Sequence, residues 1–272
     1  MAARPMNLPE ELPSKTTSYS TLRSQLGLVF VLVVFLISWY LVYQQHLGQF
    51  QDDAYISFRY AVNLADGKGL VFNEGERVEG YTNFLFVLIL AGAYKLGLAP
   101  ELMAKVIGFF SSLGTLFLTW LVARRLLDLG VVTSWGAILM LSLSLPFVYW
   151  GTGGLETNLF AFLIMFSLYF VGATEIGTIY PDKRKLLLAF VGLALASLTR
   201  PEGVLIFLLF SGYIVLKLVS DRAIAQEFCL GWVSYFLIMG GYLLWRLWYY
   251  DYLLPNTFYA KVGATDAQIK RG

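Results

Sequence analysis

Two adjacent carboxylates, Asp52 and Asp53, come directly after the first long apolar block of the chain and give its sharpest chemical signal. A carboxylate in this place can accept a proton from a hydroxyl group or hold a divalent cation. The same pair can also cap the start of a helix. Taken alone, the two residues favour the solvated helix cap over a catalytic role.

The segment NEGERVEGYTN, residues 73–83, carries the next group of polar side chains. Its three acids, of which Glu79 is the last, surround one arginine, and this pattern is typical of a solvated loop with local ion pairs. The alternative is a rim that binds a sugar or a metal. Tyr81 and Asn83 fit either a contact with a sugar or an interfacial aromatic belt.

Three charged residues stand at two short turns between later apolar blocks. Glu156 lies in GTGGLETN, where glycines allow a tight turn or a close approach of the backbone to a ligand. Arg200 and Glu202 lie in TRPEG, and a guanidinium group matches the oxygens of a phosphate. The alternative is a structural ion pair of Arg200 with Glu202 or with Glu156.

The segment LLPNTFYAK, residues 253–261, follows the last apolar block and contributes Asn256 and Lys261. Lys261 is a candidate for neutralising a lipid phosphate, or it anchors the end of a span. No single motif is decisive. The combination gains weight because one membrane topology places an acid pair, a second acid, an arginine and a lysine at the same face.

The composition excludes several classes of protein. Of the 272 residues 58% are hydrophobic and 14% are charged, with a mean hydropathy of +0.65, whereas a soluble domain is about a quarter charged. The net charge of +2 gives no basic field for a nucleic acid. A single cysteine, Cys229, and a single histidine, His46, exclude an intrachain disulfide, a cysteine-based metal site and a multi-histidine metal site. No nucleotide-binding loop is present.

The apolar residues come in long blocks that satisfy a lipid solvent, so we expect an all-α, polytopic integral membrane protein. We predict about seven transmembrane helices, near 26–45, 102–122, 131–150, 155–174, 186–199, 203–219 and 229–249. An eighth apolar stretch, 83–98, is short and contains Lys95. We predict that it is a re-entrant or interfacial segment rather than a span.

The positive-inside rule supports this topology and sets its orientation. If 83–98 does not cross, the N-terminal tail and the short basic loops ARRLLD, PDKRK and KLVSDR are all cytoplasmic. Every segment rich in glycine, proline and acids then faces outward. Residues 1–22 are expected to form a disordered cytoplasmic tail.

The long first outer loop, 47–82, is expected to contain an amphipathic helix on the membrane surface. Asp52 or Asp53 would cap a helix that begins at Ala54, and Gly67 would end it in the left-handed conformation. An apolar stripe at helical spacing consists of Tyr55, Phe58, Ala61, Val62 and Ala65. The remaining loop is expected to be a strand or irregular.

These segments resemble the GT-C class of polyprenyl-phosphate-sugar glycosyltransferases. The stretch QDDAYISFRYAVNLADGKGLVFNEGERVEGYTNFL is similar to the first outer loop of the terminal arabinofuranosyltransferases of bacterial cell-wall arabinan. GGLETNLFAFL, LTRPEG and LLPNTFYAKVG follow in the order of that family, so that the resemblance covers about 50–263. Members of this class are usually much longer.

The resemblance implies a domain organisation and a location. The chain would comprise the tail at 1–22, a GT-C-like transmembrane module at 23–263, and the start of an apparently truncated C-terminal extension at 264–272. The module would lie in the bacterial cytoplasmic membrane, with its N-terminus inside and its active site facing outward. A missing C-terminal part or a partner chain is a further expectation.

The resemblance also implies roles for particular residues. The reaction would transfer a sugar, with arabinofuranose one candidate, from a polyprenyl-phosphate donor to a glycan or lipid acceptor, with inversion. Asp53 would be the general base and Asp52 would position it or bind a divalent cation, although the order of the two is open. The expected substrate-binding residues are Arg59, Glu79, Tyr81, Asn83, Glu156, Arg200, Glu202, Asn256 and Lys261. Among them Arg59, Arg200 and Lys261 would face the leaving phosphate.

Two other classes of function compete with this interpretation. A transporter or flippase for a lipid-linked substrate usually places polar residues and broken helices near the bilayer midplane, often in repeated halves. The predicted span centres are nearly free of charge and no halves repeat. The other alternative is a non-catalytic membrane assembly subunit, for which the acid pair would be dispensable.

Overall fold

The computed structural model describes residues 15–45, 50–174, 182–220, 225–252 and 255–256, and every regular element in these ranges is a helix. The helices are α1 (Lys15–Gln45), α2 (Asp52–Ala65), α3 (Phe84–Lys95), α4 (Pro100–Leu121), α5 (Val131–Leu143), α6 (Leu145–Thr152), α7 (Thr157–Ala173), α8 (Lys183–Thr199), α9 (Glu202–Ser220) and α10 (Ala225–Tyr250). A π-helical turn, Val122–Leu126, extends α4. The all-α prediction is confirmed for this part of the chain.

Three helical segments are long and apolar enough to cross a membrane, namely Leu26–Gln45, Pro100–Leu126 and Phe228–Tyr250. The pair α5 and α6 makes a fourth if it is one bent span. A helix also occupies each of the other predicted positions, but these helices are shorter than a full span or, like α8, carry several charges at one end. The count of seven spans therefore remains a prediction, whereas the multi-pass helical character is evident.

The apolar block over 131–150, predicted as one span, consists of two helices, because the chain bends there by 55°. α5 ends at Leu143, Ser144 is extended, and Pro146 lies in the first turn of α6. Proline has no backbone N–H to donate to the preceding turn, and it is tolerated at the start of a helix. The bend consequently follows from the one proline of this block.

The long helices run alternately between two ends of the bundle. Trp39 of α1 lies against Gly151 of α6, whereas Gly27, at the other end of α1, lies against Trp135 of α5. At that second end the ammonium of Lys185 donates to the carbonyl of Ala173 at 2.9 Å. We name it the basic end, since it gathers Arg124, Arg125, Lys183, Arg184 and Lys185. The opposite end, where α2 begins, is named the acidic end.

α3 begins and α4 begins at the same end of the bundle. Asn83, just before α3, hydrogen-bonds to Ser57 of α2, and Ala104, in the second turn of α4, packs in one core cluster with Ala54 and Phe58 of α2. The segment from 83 to 98 thus starts and finishes at the acidic end. This is the arrangement that a re-entrant or interfacial segment requires.

The outer loop forms the predicted amphipathic helix, with a different start. α2 begins at Asp52 rather than Ala54, and Gln51 occupies the capping position without a side-chain hydrogen bond. Both aspartates therefore lie in the first turn, and the predicted cap by Asp52 or Asp53 is wrong. Gly67 has the expected left-handed conformation, with φ of +80°. The described residues from 68 to 83 contain no strand and form an irregular loop.

Candidate active-site cavity

A cavity of about 400 Å³ opens at the acidic end of the bundle. Five of the residues predicted for the site line it, namely Asp53, Tyr81, Asn83, Glu156 and Arg200. Ser57, Ile56, Gly80, Thr82 and Leu155 complete its wall. Residues that stand almost 150 positions apart in the sequence are thus brought to one place.

The polar residues of the cavity stand at helix ends. Asp53 is in the first turn of α2, Asn83 precedes α3, Glu156 precedes α7, and Arg200 follows α8. The first N–H groups of a helix have no partner within it, and its N-terminus carries partial positive charge. The two carboxylates, Asp53 and Glu156, are therefore placed where helix dipoles stabilise a negative charge.

Asn83 links two elements through its buried amide. Its Nδ2 donates to the hydroxyl of Ser57 at 2.9 Å and to Oε2 of Glu156 at 2.8 Å. Both amide hydrogens are thereby used, and the carboxylate fixes which way the amide points. The Oδ1 atom is buried and has no hydrogen-bond partner among the residues that the structure describes. A buried acceptor without a partner is costly, so it suits a donor brought by a ligand.

Arg200 lies between two carboxylates. Its Nη1 donates to Oε1 of Glu156 at 3.1 Å and its Nη2 donates to Oε1 of Glu202 at 3.0 Å. These hydrogen bonds from Arg200 lower the pKa of Glu202. The charge of the guanidinium is compensated on both sides, which is the structural pairing that the sequence offered as the alternative to phosphate binding.

The start of α2 is locked to the turn that carries Glu156. The backbone N–H of Gln51 donates to the carbonyl of Gly153 at 3.2 Å, and the side chain of Gln51 donates to the hydroxyl of Tyr149. Gly154 has φ of +81°, and the ring of Phe50 covers its α-carbon so closely that a side chain there would overlap the ring. Glycine at this position therefore allows Phe50, which precedes α2, to pack against the turn that carries Glu156.

A second buried amide, that of Asn158, holds the helices below the cavity. Its Nδ2 donates to the hydroxyl of Ser112 on α4 at 2.6 Å and to the carbonyl of Phe147 on α6 at 2.9 Å. Asn158 is in the first turn of α7, two residues after Glu156. The network consequently fixes α7, and with it Glu156, relative to α4 and α6.

Several predicted site residues lie outside the cavity. Asp52 is exposed and is not part of the lining. Arg59 donates to the carbonyl of Phe72 at 2.7 Å and to Asn73 at 3.2 Å, so it braces the outer loop. Glu202 does not line the cavity and accepts a hydrogen bond from Arg200, which does. Lys261 lies outside the described residues.

Glu79 is an anchor of the outer loop rather than part of a sugar-binding rim. It is buried, and Nε of Arg246 on α10 donates to its Oε2 at 2.6 Å. Burial raises the pKa of Glu79, and the neighbouring Arg246 opposes this rise. The backbone N–H of Asn256, another predicted site residue, donates to the carbonyl of Glu79 at 3.0 Å.

Tyr81 contributes its ring to the wall of the cavity, while its hydroxyl points into the core. That hydroxyl lies 3.3 Å from the hydroxyl of Tyr250. Burial raises the pKa of Tyr81, which keeps the phenol neutral. Tyr81 therefore shapes the cavity rather than carrying charge.

Metal binding has limited support in the described part of the chain. No group of three or more histidine, cysteine, aspartate or glutamate side chains comes together there. A magnesium site often uses one or two carboxylates together with substrate phosphates, so the acid pair fits such a site only if a substrate completes it. The divalent cation stays a prediction.

Sequence reasoning missed three residues around the site, Ser57, Lys105 and Arg246. Ser57 gives no signal in the sequence, since serine is common in helices of this kind. Lys105 and Arg246 do give one, because each is a cation inside a predicted transmembrane span, where charges are rare and usually functional or paired.

Comparison with known proteins gives one informative similarity. The chain is 29% identical over 231 residues to the terminal beta-(1->2)-arabinofuranosyltransferase of Mycobacterium tuberculosis (strain ATCC 25618 / H37Rv). The match covers 79% of this chain and 35% of the relative, so the chain spans about a third of that protein's length. No family model matches the chain, and no solved structure does. This distant similarity supports a relationship to glycosyltransferases without specifying a member.

Proposed function

We propose that this chain is a membrane glycosyltransferase that moves a sugar from a polyprenyl-phosphate donor to a glycan or lipid acceptor. The observation that carries the proposal is the convergence of Asp53, Asn83, Glu156 and Arg200 on one cavity at the acidic end. The similarity to an arabinofuranosyltransferase supports a sugar as the transferred group and makes arabinofuranose the first candidate.

Asp53 is the proposed general base. An acceptor hydroxyl attacks the anomeric carbon of the donor, its proton passes to the carboxylate of Asp53, and a new carbon–oxygen bond forms. The bond between the anomeric carbon and the phosphate oxygen breaks, its electron pair stays on that oxygen, and polyprenyl phosphate leaves. A single displacement of this kind inverts the anomeric carbon. A positioned base contributes about 10²–10⁴-fold to the rate.

Asn83 and Glu156 are the proposed contacts to sugar hydroxyls. The free Oδ1 of Asn83 accepts a hydrogen bond, and the carboxylate of Glu156 accepts others. Arg200 holds Glu156 in place rather than touching the phosphate, since two carboxylates already compensate it. The cavity volume of about 400 Å³ lies within the range of about 300–1,000 Å³ that is usual for small-molecule sites.

The proposed setting is the bacterial cytoplasmic membrane, with the acidic end and its cavity facing outward. The separation of charge supports this orientation, because the described arginines and lysines of ARRLLD and PDKRK gather at the opposite end. The donor and the acceptor would reach the cavity from the outer leaflet. A longer chain or a partner completes the enzyme in this proposal.

A transfer assay tests the proposed function. Purified protein, as the 272-residue chain and as the full product of its gene, is offered a panel of radiolabelled polyprenyl-phosphate sugars with and without a metal chelator. We expect transfer from one donor to an acceptor glycan or lipid. Absence of transfer from every donor by the full gene product contradicts the proposal.

A further inference from the structure

Lys105 is a cation inside an apolar helix that no described carboxylate compensates. It lies in the second turn of α4, within the candidate span Pro100–Leu126. Its Nζ stands 4.6 Å from the centre of the Tyr43 ring and 4.4 Å from that of Phe50. Among the described residues it makes no hydrogen bond and no ion pair.

Two aromatic faces satisfy only part of what an ammonium group needs. They attract its charge, but the three N–H donors of a lysine still need acceptors. In a membrane-spanning helix such a group costs free energy unless a partner accepts from it. The arrangement therefore suits an anion that arrives with a ligand.

One aromatic ring separates Lys105 from the turn that precedes Glu156. The ring of Phe50 that covers its ammonium also covers Gly154, the second residue before Glu156. Phe50 is likewise the third residue before Asp53. On the other side, Tyr43 and Leu102 have 39% and 55% of their surface exposed on the apolar exterior of the bundle. The ammonium thus lies between the turn that carries Glu156 and the surface that lipid would cover.

Of the cations predicted for phosphate binding, the two that the structure describes already have partners. Arg200 is bracketed by Glu156 and Glu202, and Arg59 is held by the carbonyl of Phe72. Lys105 differs from both because the described residues offer its ammonium neither a carboxylate nor a hydrogen-bond acceptor. An isoprenoid phosphate has the matching chemistry, since its charged head would meet the ammonium while its chain lies along exposed apolar side chains.

We propose that Lys105, flanked by Tyr43 and Phe50, binds the phosphate of an isoprenoid-phosphate lipid whose sugar occupies the cavity. This proposal rests on the proposed function and adds the position of the lipid phosphate. Lys105 would stabilise the negative charge that develops on the phosphate oxygen as the sugar departs. The chain of the lipid would leave along α1 and α4.

Binding of a short probe tests the proposal without the transfer reaction. The full chain in neutral phosphatidylcholine nanodiscs is titrated with farnesyl phosphate, with farnesol, and with farnesol plus inorganic phosphate. We expect the wild type to bind farnesyl phosphate about tenfold to a hundredfold more tightly than farnesol, the range for a hydrogen-bonded charge. Inorganic phosphate should not reproduce this preference, which separates a lipid phosphate from a free anion.

Three variants complete the test. Lys105→Gln should lose the preference for farnesyl phosphate and keep the affinity for farnesol, which also reports that the protein is folded. Lys105→Arg should keep the preference. Lys95→Gln, which removes a lysine at the end of α3, should leave it unchanged.

Three results would overturn the assignment. They are a wild type without the preference, a Lys105→Gln variant that keeps it, and a Lys105→Gln variant that loses both ligands equally. The outcome is separate from that of the transfer assay. If no sugar is transferred but phosphate binding depends on Lys105, the proposed function fails and the lipid-phosphate site stands.

Discussion

The carboxylate of Glu156 receives hydrogen bonds from two sides, from the amide of Asn83 and from the guanidinium of Arg200. Both donors need a hydrogen-bond acceptor, and the carboxylate supplies one oxygen to each of them. A single carboxylate therefore orients the amide that we assign to sugar binding. The chemistry of the cavity depends on this orientation as much as on Asp53.

Glu156→Gln should impair sugar binding without unfolding the protein. A glutamine replaces one carboxylate oxygen by an NH2 group, which then faces the amide of Asn83 or the guanidinium of Arg200. Two hydrogen-bond donors face each other in either case, and we expect the amide of Asn83 to rotate. We expect kcat/KM for transfer to fall about 10- to 100-fold, the cost of one unsatisfied buried hydrogen bond. Steady-state kinetics at varied concentrations of the acceptor measure this change in kcat/KM.

Glu202→Gln is the matched control for this substitution. Glu202 also receives hydrogen bonds from Arg200, but its side chain is 56% exposed and does not line the cavity. Its substitution should change kcat/KM less than threefold, since exposed ion pairs contribute about 0–1 kcal/mol. Equal losses in both variants would argue against Glu156 as a binding residue.

Arg246→Met should destabilise the fold, because it leaves the carboxylate of Glu79 buried without its cation. Breaking a buried pair on one side costs about 3–5 kcal/mol, whereas replacing both partners by apolar residues is often neutral. We therefore expect a lower unfolding temperature for Arg246→Met and recovery in Glu79→Leu/Arg246→Met. Thermal unfolding in detergent measures both, and the exposed Arg77→Met should behave like the wild type.

At this scale the sequence predicted half of the cavity lining and the ion pairs of Arg200, but not the ion pair of Glu79. Asp53, Asn83 and Glu156 were recognisable because polar residues at the borders of apolar blocks are few. The partner of Glu79 was not, since Arg246 is 167 positions away and only the return of α10 to the outer loop brings it near. Contacts of that kind depend on how helices are arranged, which local patterns do not encode.

Helices α4 and α6 touch through their backbones at the level below the cavity. Gly108 of α4 faces the carbonyl of Gly151, and a side chain at Gly108 would overlap that backbone oxygen. Gly151 in turn lies against the ring of Trp39 on α1. The close approach of three helices therefore depends on two glycines.

Gly108→Ala should force α4 and α6 apart and lower both stability and transfer. Overpacking of this kind typically costs about 1–3 kcal/mol, and it moves the turn that carries Glu156. Gly136→Ala in α5 is the control, since its added methyl group meets no atom within 4 Å and alanine favours a helix. The unfolding temperature of Gly108→Ala should be lower than that of Gly136→Ala. Equal unfolding temperatures would contradict the close packing of α4 on α6.

The elements followed from the sequence better than their ends did. Every apolar block that we predicted became a helix, because long apolar runs in lipid have no other way to satisfy their backbone groups. The sequence analysis did not predict the bend at Ser144, although Pro146 lies in the same apolar block. The start of α2 was also misplaced, since Gln51 is bonded to Gly153 and a distant turn thereby decides where the helix begins.

The whole molecule separates its charges between two ends. The described basic residues of ARRLLD and PDKRK lie at one end, and the cavity with its carboxylates lies at the other. The separation follows from the alternating direction of the long helices and from the segment 83–98, which starts and finishes at the acidic end. This arrangement is the basis of the proposed orientation in the membrane.

Cysteine labelling should detect this orientation. In a Cys229→Ser background, Glu74→Cys marks the outer loop and Arg184→Cys marks the basic end; both native side chains are exposed. An impermeant maleimide should label Glu74→Cys in intact cells and label Arg184→Cys only after permeabilisation. The reverse pattern, or labelling of both in intact cells, would contradict an outward-facing cavity.

A single-turnover transfer assay of Asp53→Asn beside Asp52→Asn tests the central claim most directly. The two carboxylates are neighbours in the first turn of α2, but Asp53 lines the cavity and Asp52 does not. We predict that Asp53→Asn slows the chemical step about 10²–10⁴-fold with probe binding intact, and that Asp52→Asn has a much smaller effect. Transfer by Asp53→Asn at the wild-type rate would contradict the account.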